Sequence, residues 1–188
     1  MKNAISSGFR QAANTWMFLV PLLTAGVMIL NFMAPLIRAY RENSIIEGLH
    51  MNLLMQSFQS DALISFLPIL AALPFGGCFV DDLKSKFARF FLIRSSYRIY
   101  IISRIIVGFL AGGLVILSGA LIAWGATAAV LIPIEREIEG MEPAVIDGLI
   151  EICFLLFLNG GFWSVLGMAM STLMESKYIS YATPFVLY

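Results

Sequence analysis

The sequence predicts an all-α protein, a polytopic bundle of transmembrane helices, from its composition and from the spacing of its charges. Of its 188 residues, 60% are hydrophobic and 13% are charged, whereas soluble domains carry about 25% charged residues and about 45–50% apolar ones. Asp, Glu, Lys and Arg are absent from four long stretches, residues 11–37, 62–80, 105–134 and 152–174. Because a membrane-spanning helix needs about 20 apolar residues, each stretch can form a span.

Helices rather than strands are expected in these stretches, because polar–apolar alternation is absent and the stretches exceed the length of a strand. The predicted spans are residues 15–39, 61–80, 99–133 and 148–174. A fifth apolar stretch, residues 178–188, would cover only about 16 Å as a helix. We therefore expect residues 1–188 to form a single transmembrane domain with five spans begun in this chain, the fifth incomplete, and six in the native subunit.

Four prolines lie within the first two predicted spans: Pro21, Pro35, Pro68 and Pro74. Proline lacks a backbone N–H and clashes with the preceding turn of a helix. Kinks are therefore expected in both spans.

The basic residues predict the side of the membrane on which each connector lies. With the N-terminus inside the cell, the inside segments hold nine Lys and Arg residues, and the outside segments hold three, Arg38, Arg41 and Arg136. This bias follows the positive-inside rule, so we expect a multi-pass protein of the cytoplasmic membrane with a cytoplasmic N-terminus. Residues 1–14 would form an interfacial helix, residues 81–98 a cytoplasmic loop, and residues 51–58 a short interfacial helix outside.

Small residues predict where the helices meet, because lipid provides no hydrophobic drive between helices and close packing needs small side chains. Gly108 and Gly112 share one face of the third span, and Gly160 and Ser164 share one face of the fourth. These faces either pack together or line a translocation path. Asn159 lies at the centre of the fourth span and is expected to find a partner in the bundle interior.

The sequence carries no enzyme or metal signature. It has no phosphate-binding loop with a Lys-Ser/Thr pair, no His-Glu-x-x-His and no Gly-x-Ser-x-Gly. His50 is the single histidine, and Cys78 and Cys153 lie in separate apolar stretches, so no metal-ligand spacing exists. The uncharged span centres argue against a gradient-driven carrier, which usually buries ionisable groups, and favour a separate protein that hydrolyses ATP.

The basic loop predicts a short amphipathic helix that begins at Asp81 and Asp82, whose carboxylates can cap free backbone amides. Its apolar face would comprise Leu83, Phe87, Phe90 and Phe91, and its basic residues would be Lys84, Lys86 and Arg89. Such a helix either lies on anionic lipid or docks a cytoplasmic protein through its aromatic side chains.

A longer pattern runs through residues 67–104. An apolar Leu-Pro segment leads to Asp-Leu-Lys-Ser, then to Arg-Ser, and then to a Tyr with a basic residue four positions on. The positions concerned are Pro68, Pro74, Asp82, Leu83, Lys84, Ser85, Arg94, Tyr100 and Arg104. This pattern resembles the second-span, loop and third-span block of the type-2 ABC export permeases. Lys86 stands where those permeases often have Gly, and Arg104 stands where they often have Lys.

The resemblance implies a six-span permease subunit that assembles with a second permease copy or a paralogue and with two cytoplasmic ATP-binding subunits. ATP and Mg²⁺ would bind to those subunits, so this chain is expected to hold no cofactor. The loop at residues 81–98 would carry the coupling helix, with Asp81, Asp82, Leu83, Lys84, Lys86, Phe87, Arg89, Phe90, Phe91 and Arg94 as ATPase-coupling residues. The lipid bilayer is the remaining expected partner, and no nucleic acid is expected.

The expected function is that of a transporter subunit, not itself an enzyme, in an ATP-driven exporter of a hydrophobic or amphipathic substrate such as a peptide, lipid or drug. One alternative is a membrane scaffold or regulator that recruits a cytoplasmic partner through the basic loop. A gradient-driven carrier is the other. A neighbouring reading frame with a Walker A motif would favour the exporter over both.

Overall fold

Every element in the described part of the chain is an α-helix, which confirms the all-α part of the predicted fold class. The computed structural model describes residues 8–9, 16–43, 49–58, 60–84, 97–131 and 143–187. Its helices within these ranges are α1 (Trp16–Asn43), α2 (Leu49–Phe58), α3 (Asp61–Ala72), α4 (Cys78–Lys84), α5 (Tyr97–Leu131), α6 (Pro143–Leu173) and α7 (Lys177–Leu187).

Three of these helices are long and apolar enough to cross a membrane. The spanning stretches are Phe18–Pro35 in α1, Tyr97–Val130 in α5 and Gly148–Leu173 in α6. The chain is therefore a helical membrane protein. Within the described residues it has three such helices rather than the four complete spans that the sequence predicts.

The predicted second span is interrupted. Helix α3 contains 12 residues, which is about 18 Å of helix and too short to cross the hydrocarbon core, and a turn follows it at residues 73–77. Pro74 cannot donate a hydrogen bond to the preceding turn, and Gly76 and Gly77 are poor helix formers. The span predicted over residues 61–80 is therefore divided between two helices, and the break coincides with one of the prolines that predict kinks.

Helix α2 covers residues 51–58, which the sequence predicts to be a short helix at the membrane interface. Leu54 in this helix is buried and belongs to the main hydrophobic core. The segment is therefore helical, as expected, and it packs against the bundle.

Helix α5 lies at the centre of the bundle, where it packs against α1, α3 and α6. Half of its spanning stretch is buried, compared with 28% for α1 and 17% for α6. The main core joins α1, α2, α3 and α5 through Ala25, Ile29, Met33, Leu54, Leu63, Leu67, Leu70, Ala71, Ile116, Ala120 and Ala123. A second core joins the 73–77 turn to α5 and α6 through Phe75, Val107, Ala111 and Met168.

Glycines allow α5 and α6 to approach closely. A β-carbon built at Gly112 would lie 2.6 Å from the carbonyl oxygen of Gly160 and closer still to the β-carbon of Ser164. A β-carbon at Gly160 would lie 2.7 Å from the carbonyl oxygen of Gly112. Because carbon atoms in contact are about 3.5–4.0 Å apart, a larger residue at either position would push the helices apart.

Replacing Gly112 by alanine should therefore destabilise the bundle, whereas Gly125→Ala should not. Gly125 lies in the same helix, and a β-carbon there meets no atom within 4 Å. Overpacking costs about 1–3 kcal/mol, which lowers the melting temperature by about 2–4 °C per kcal/mol in a protein of this size. Thermal unfolding in detergent micelles, followed by circular dichroism, measures both variants. Equal melting temperatures for the two would contradict the close approach of α5 and α6.

Candidate functional site

The end of α4 and the start of α5 lie side by side at one end of the bundle, which we call the basic-loop end because the chain between them, residues 85–96, belongs to the basic loop. Tyr100 and Arg104 lie on α5 four residues apart, so their side chains share one face of that helix. Asp82 lies in α4. The two helices that flank the connector thus place an acid of α4 beside a tyrosine and an arginine of α5.

These three side chains form a buried cluster, which we call the Asp82 cluster. The Tyr100 hydroxyl donates a hydrogen bond of 2.8 Å to Oδ2 of Asp82, and the Arg104 guanidinium forms an ion pair with the same oxygen. Asp82 is 4% exposed, Tyr100 2% and Arg104 6%. Because a buried charge is costly unless it is paired and hydrogen-bonded, each member of the cluster requires the others to stay in place.

Aromatic rings surround the guanidinium of Arg104. Its Cζ atom lies 5.7 Å from the ring centroid of Phe75 and 5.4 Å from that of Tyr100, within the range of cation–π attraction. The rings of Phe79 and Tyr100 are 5.8 Å apart. The cluster is therefore an ion pair enclosed by apolar rings, in which electrostatic attraction is stronger than it would be in water.

A second ion pair lies beside the cluster on the surface. Nζ of Lys177 in α7 is 3.7 Å from Oδ1 of Asp81 in α4, and the two side chains are 39% and 55% exposed. Exposed pairs of this kind contribute about 0–1 kcal/mol. The consecutive residues Asp81 and Asp82 thus face different surroundings, one hydrated and one buried.

The turn at residues 73–77 is held against α6 and α7. The Ser171 hydroxyl donates a hydrogen bond of 2.8 Å to the carbonyl oxygen of Gly76. A β-carbon at Gly76 would overlap the hydroxyl of Ser180, and one at Gly167 would lie 3.0 Å from the Ser180 carbonyl oxygen. The break in the second apolar segment is therefore tightly packed, with its backbone bonded to a neighbouring helix.

The structure describes four of the predicted ATPase-coupling residues. Asp82 is buried, while Asp81, Leu83 and Lys84 are exposed. The remaining predicted coupling residues, Lys86, Phe87, Arg89, Phe90, Phe91 and Arg94, lie outside the described residues, as does most of the predicted interfacial helix at residues 1–14.

The residues predicted for helix packing or a translocation path separate into two groups. Gly112, Gly160 and Ser164 lie at the contact between α5 and α6, and a β-carbon at Gly108 would lie 3.2 Å from the ring of Phe75. Asn159 instead lies on the exposed side of α6. This differs from the expected interior position, because one residue along a helix is a rotation of about 100° and the neighbouring Gly160 occupies the packed face. That Asn159 lines a translocation path stays a prediction.

The contact of Tyr100 and Arg104 with Asp82 is the feature that sequence reasoning missed, although all three belong to the pattern in residues 67–104. The sequence did contain one signal for this contact. An arginine at the edge of an apolar helix needs a partner, and Tyr100 on the same face marks the side on which that partner lies. Asp82 is the acid at the end of the preceding apolar segment that this face meets.

The described residues contain no group of three or more His, Cys, Asp or Glu side chains that could hold a metal ion. Comparison of the chain with protein-family models, with curated proteins and with solved structures finds no match. The fold and the site together define a helical membrane protein in which a buried ion pair joins the two helices that flank a basic connector.

The difference between Asp81 and Asp82 can be tested with matched variants. Asp82→Asn leaves the Arg104 charge buried without its ionic partner, and breaking a buried pair costs about 3–5 kcal/mol. Asp81→Asn removes an exposed pair and should cost about 0–1 kcal/mol. Thermal unfolding in detergent should therefore show a large decrease in melting temperature for Asp82→Asn and little change for Asp81→Asn. Similar decreases for both would contradict the burial of the Asp82 cluster.

Proposed function

We propose that this chain is the membrane-spanning permease subunit of an ATP-driven ABC exporter that moves a hydrophobic or amphipathic substrate across the cytoplasmic membrane. ATP and Mg²⁺ bind to separate ATP-binding subunits in this proposal. The chain pairs with a second permease copy or a paralogue. A peptide, a lipid and a drug are all substrates of the proposed class.

The observation that supports this proposal most directly is the position of the Asp82 cluster. A coupling loop must pass a displacement to the helices on either side of it. Asp82 and Arg104 join those two helices where the loop leaves one and enters the other, so α4 and α5 would move together when a partner displaces the loop. The exposed Leu83 and Lys84 are available to that partner.

The attachment of the 73–77 turn extends this path into the bundle. Gly76 is bonded to Ser171 of α6, and Asp81 is paired with Lys177 of α7. A displacement of α4 would therefore reach α5, α6 and α7 together. Rigid-body movement of packed helices is a common way to switch a membrane protein between two states, here inward-open and outward-open forms.

The proposal places the basic-loop end in the cytoplasm, on the basis of nine basic residues against three. In this arrangement α3 and α4 together make the second crossing, α7 begins the fifth, and a sixth completes the native subunit. The N-terminus is then cytoplasmic, and residues 1–14 lie at the membrane surface on the same side as the ATPase.

Purification with its partner tests the proposal. When the chain is expressed with its genomic neighbours, we expect it to retain an ATPase whose activity is vanadate-sensitive. Reversing the charge of Lys84, Arg89 and Arg94 to Glu should reduce the retained ATPase at least about tenfold, because loss of one central contact costs about 2 kcal/mol or more. Reversing the three basic residues of the opposite side, Arg38, Arg41 and Arg136, is the matched control and should leave the ATPase bound.

Because basic residues also set membrane orientation, the accessibility of an introduced cysteine in each variant must first show that its orientation is unchanged. Retention of a fully coupled ATPase by the Lys84, Arg89 and Arg94 variant would contradict the coupling role of the loop. Failure of the unaltered chain to retain any ATPase would contradict the exporter assignment itself.

A further inference from the structure

An apolar groove lies between α4, α5 and α6 beside the Asp82 cluster. Its volume is about 360 Å³, and its apolar lining includes Phe79, Ile101, Ile105, Val165, Met168 and Ala169. Two polar side chains in its wall already have partners within the protein. Arg104 is paired with Asp82, and the Thr172 hydroxyl donates a 2.7 Å hydrogen bond to the carbonyl oxygen of Met168. The groove therefore favours an apolar occupant.

The groove opens toward the outside of the bundle and not toward its core. Of its lining residues, Leu173 is 76% exposed, Tyr97 61% and Ile105 40%. It lies within the first nine residues of α5, Tyr97 to Ile105, which span about 12 Å. In a membrane this position is at one edge of the hydrocarbon layer, where lipid chains have direct access.

A second pocket, with a mixed polar and apolar lining, adjoins the groove. Its volume is about 270 Å³, and it is lined by Val80, Leu83, Lys84, Thr172 and Glu175. Thr172 lines both cavities, so the two meet at this residue. Their combined volume falls in the range of about 300–1,000 Å³ that is usual for small-molecule sites.

The second pocket presents one charge of each sign. Lys84 and Glu175 are both exposed, and none of the ion pairs among the described residues involves either of them. A ligand that satisfies both side chains must carry an anionic group for the ammonium and a cationic group for the carboxylate. The phosphate and amine of a zwitterionic lipid headgroup have this arrangement.

Glu175 occupies a backbone position that normally belongs to glycine. It has φ 51° and follows the end of α6, where the Ser176 amide donates to the Ser171 carbonyl and the Glu175 amide to the Thr172 carbonyl. These two bonds form a Schellman cap, whose left-handed residue is usually glycine. A glutamate here strains the backbone, and such strain is concentrated at functional sites.

We propose that the groove and the pocket together bind one phospholipid with a phosphoethanolamine headgroup. One acyl chain occupies the apolar groove, the phosphate lies at Lys84, and the primary ammonium donates hydrogen bonds to Glu175. The bound lipid connects α4, α5 and α6 at the basic-loop end. This site does not depend on the proposed transport activity, although Lys84 is also one of the residues proposed to contact the ATPase.

Native mass spectrometry of the delipidated chain tests the site, with separate additions of dioleoyl phosphatidylethanolamine, phosphatidylcholine and phosphatidylglycerol. We expect one phosphatidylethanolamine to bind about tenfold more tightly than either other lipid, because only its headgroup has a primary ammonium to donate charge-assisted hydrogen bonds to Glu175. Equal affinity for the three lipids would overturn the headgroup assignment. Preference for phosphatidylglycerol would overturn it too, since that indicates a generally basic surface.

Variants of Glu175 separate binding from folding. Glu175→Gly removes the carboxylate and also relieves the positive φ, so it should abolish the preference for phosphatidylethanolamine without lowering the melting temperature. Glu175→Gln, which keeps the side-chain shape, should abolish it as well. A preference that persists in both variants would contradict the role of Glu175.

The groove is tested with a matched pair of tryptophan variants. Ala169→Trp places a large ring in the groove and should weaken binding of all three lipids, whereas Ala129→Trp, at an exposed position of α5 outside both cavities, should leave binding unchanged. Unchanged lipid binding by Ala169→Trp would overturn the proposal. If lipid binding is unchanged and the oligomeric state of the variant differs from that of the unaltered chain, the groove is instead the contact with a second copy of the chain. Binding of glycerophosphoethanolamine, which has no acyl chains, as tightly as the lipid would also overturn it.

Discussion

The ion pair between Asp82 and Arg104 is the interaction on which the basic-loop end of this bundle depends. Both side chains are withdrawn from water, and a buried charge without a partner would cost several kcal/mol. The pair can form only if the end of α4 lies against the second turn of α5. Tyr100 donates to the same carboxylate oxygen at 2.8 Å, so the carboxylate is bound from two successive turns of α5. This geometry determines where the basic connector leaves and re-enters the bundle.

The interruption in the second apolar segment places α4 where this pair can form. An uninterrupted helix from Asp61 would continue along the direction of α3, whereas the turn at residues 73–77 separates α4 from α3. Small residues then allow α6 and α7 to pack on that turn, with Ser171 bonded to the Gly76 carbonyl at 2.8 Å. The basic-loop end is therefore a connected unit of four helices. In the proposed exporter it transmits the movement of the ATPase, and in the proposed lipid site it supplies the walls of the two cavities.

The sequence could predict those features that depend on one helix at a time. Uncharged stretches indicate α1, α5 and α6, because hydrocarbon tolerates few charges, and Pro74 marks the break after α3. Features that depend on how two helices are rotated relative to each other could not be predicted. Asn159 and Gly160 are neighbours in an apolar helix, yet only the glycine meets α5. For the contact of Asp82 with Arg104, the sequence indicates that a buried arginine needs a partner, but the choice of Asp82 also requires the course of the chain on both sides of the connector.

A double-mutant cycle on Asp82 and Arg104 tests the central claim most directly. The free energy of unfolding in detergent is measured for the unaltered chain, for Asp82→Asn, for Arg104→Met and for the double variant. Each single variant leaves a buried polar or charged group without its partner, whereas the double variant removes both charges. We predict that the double variant loses less stability than the sum of the single variants, with a coupling free energy of at least about 1 kcal/mol. Additivity within about 0.3–0.5 kcal/mol, as found for independent sites, would contradict the account.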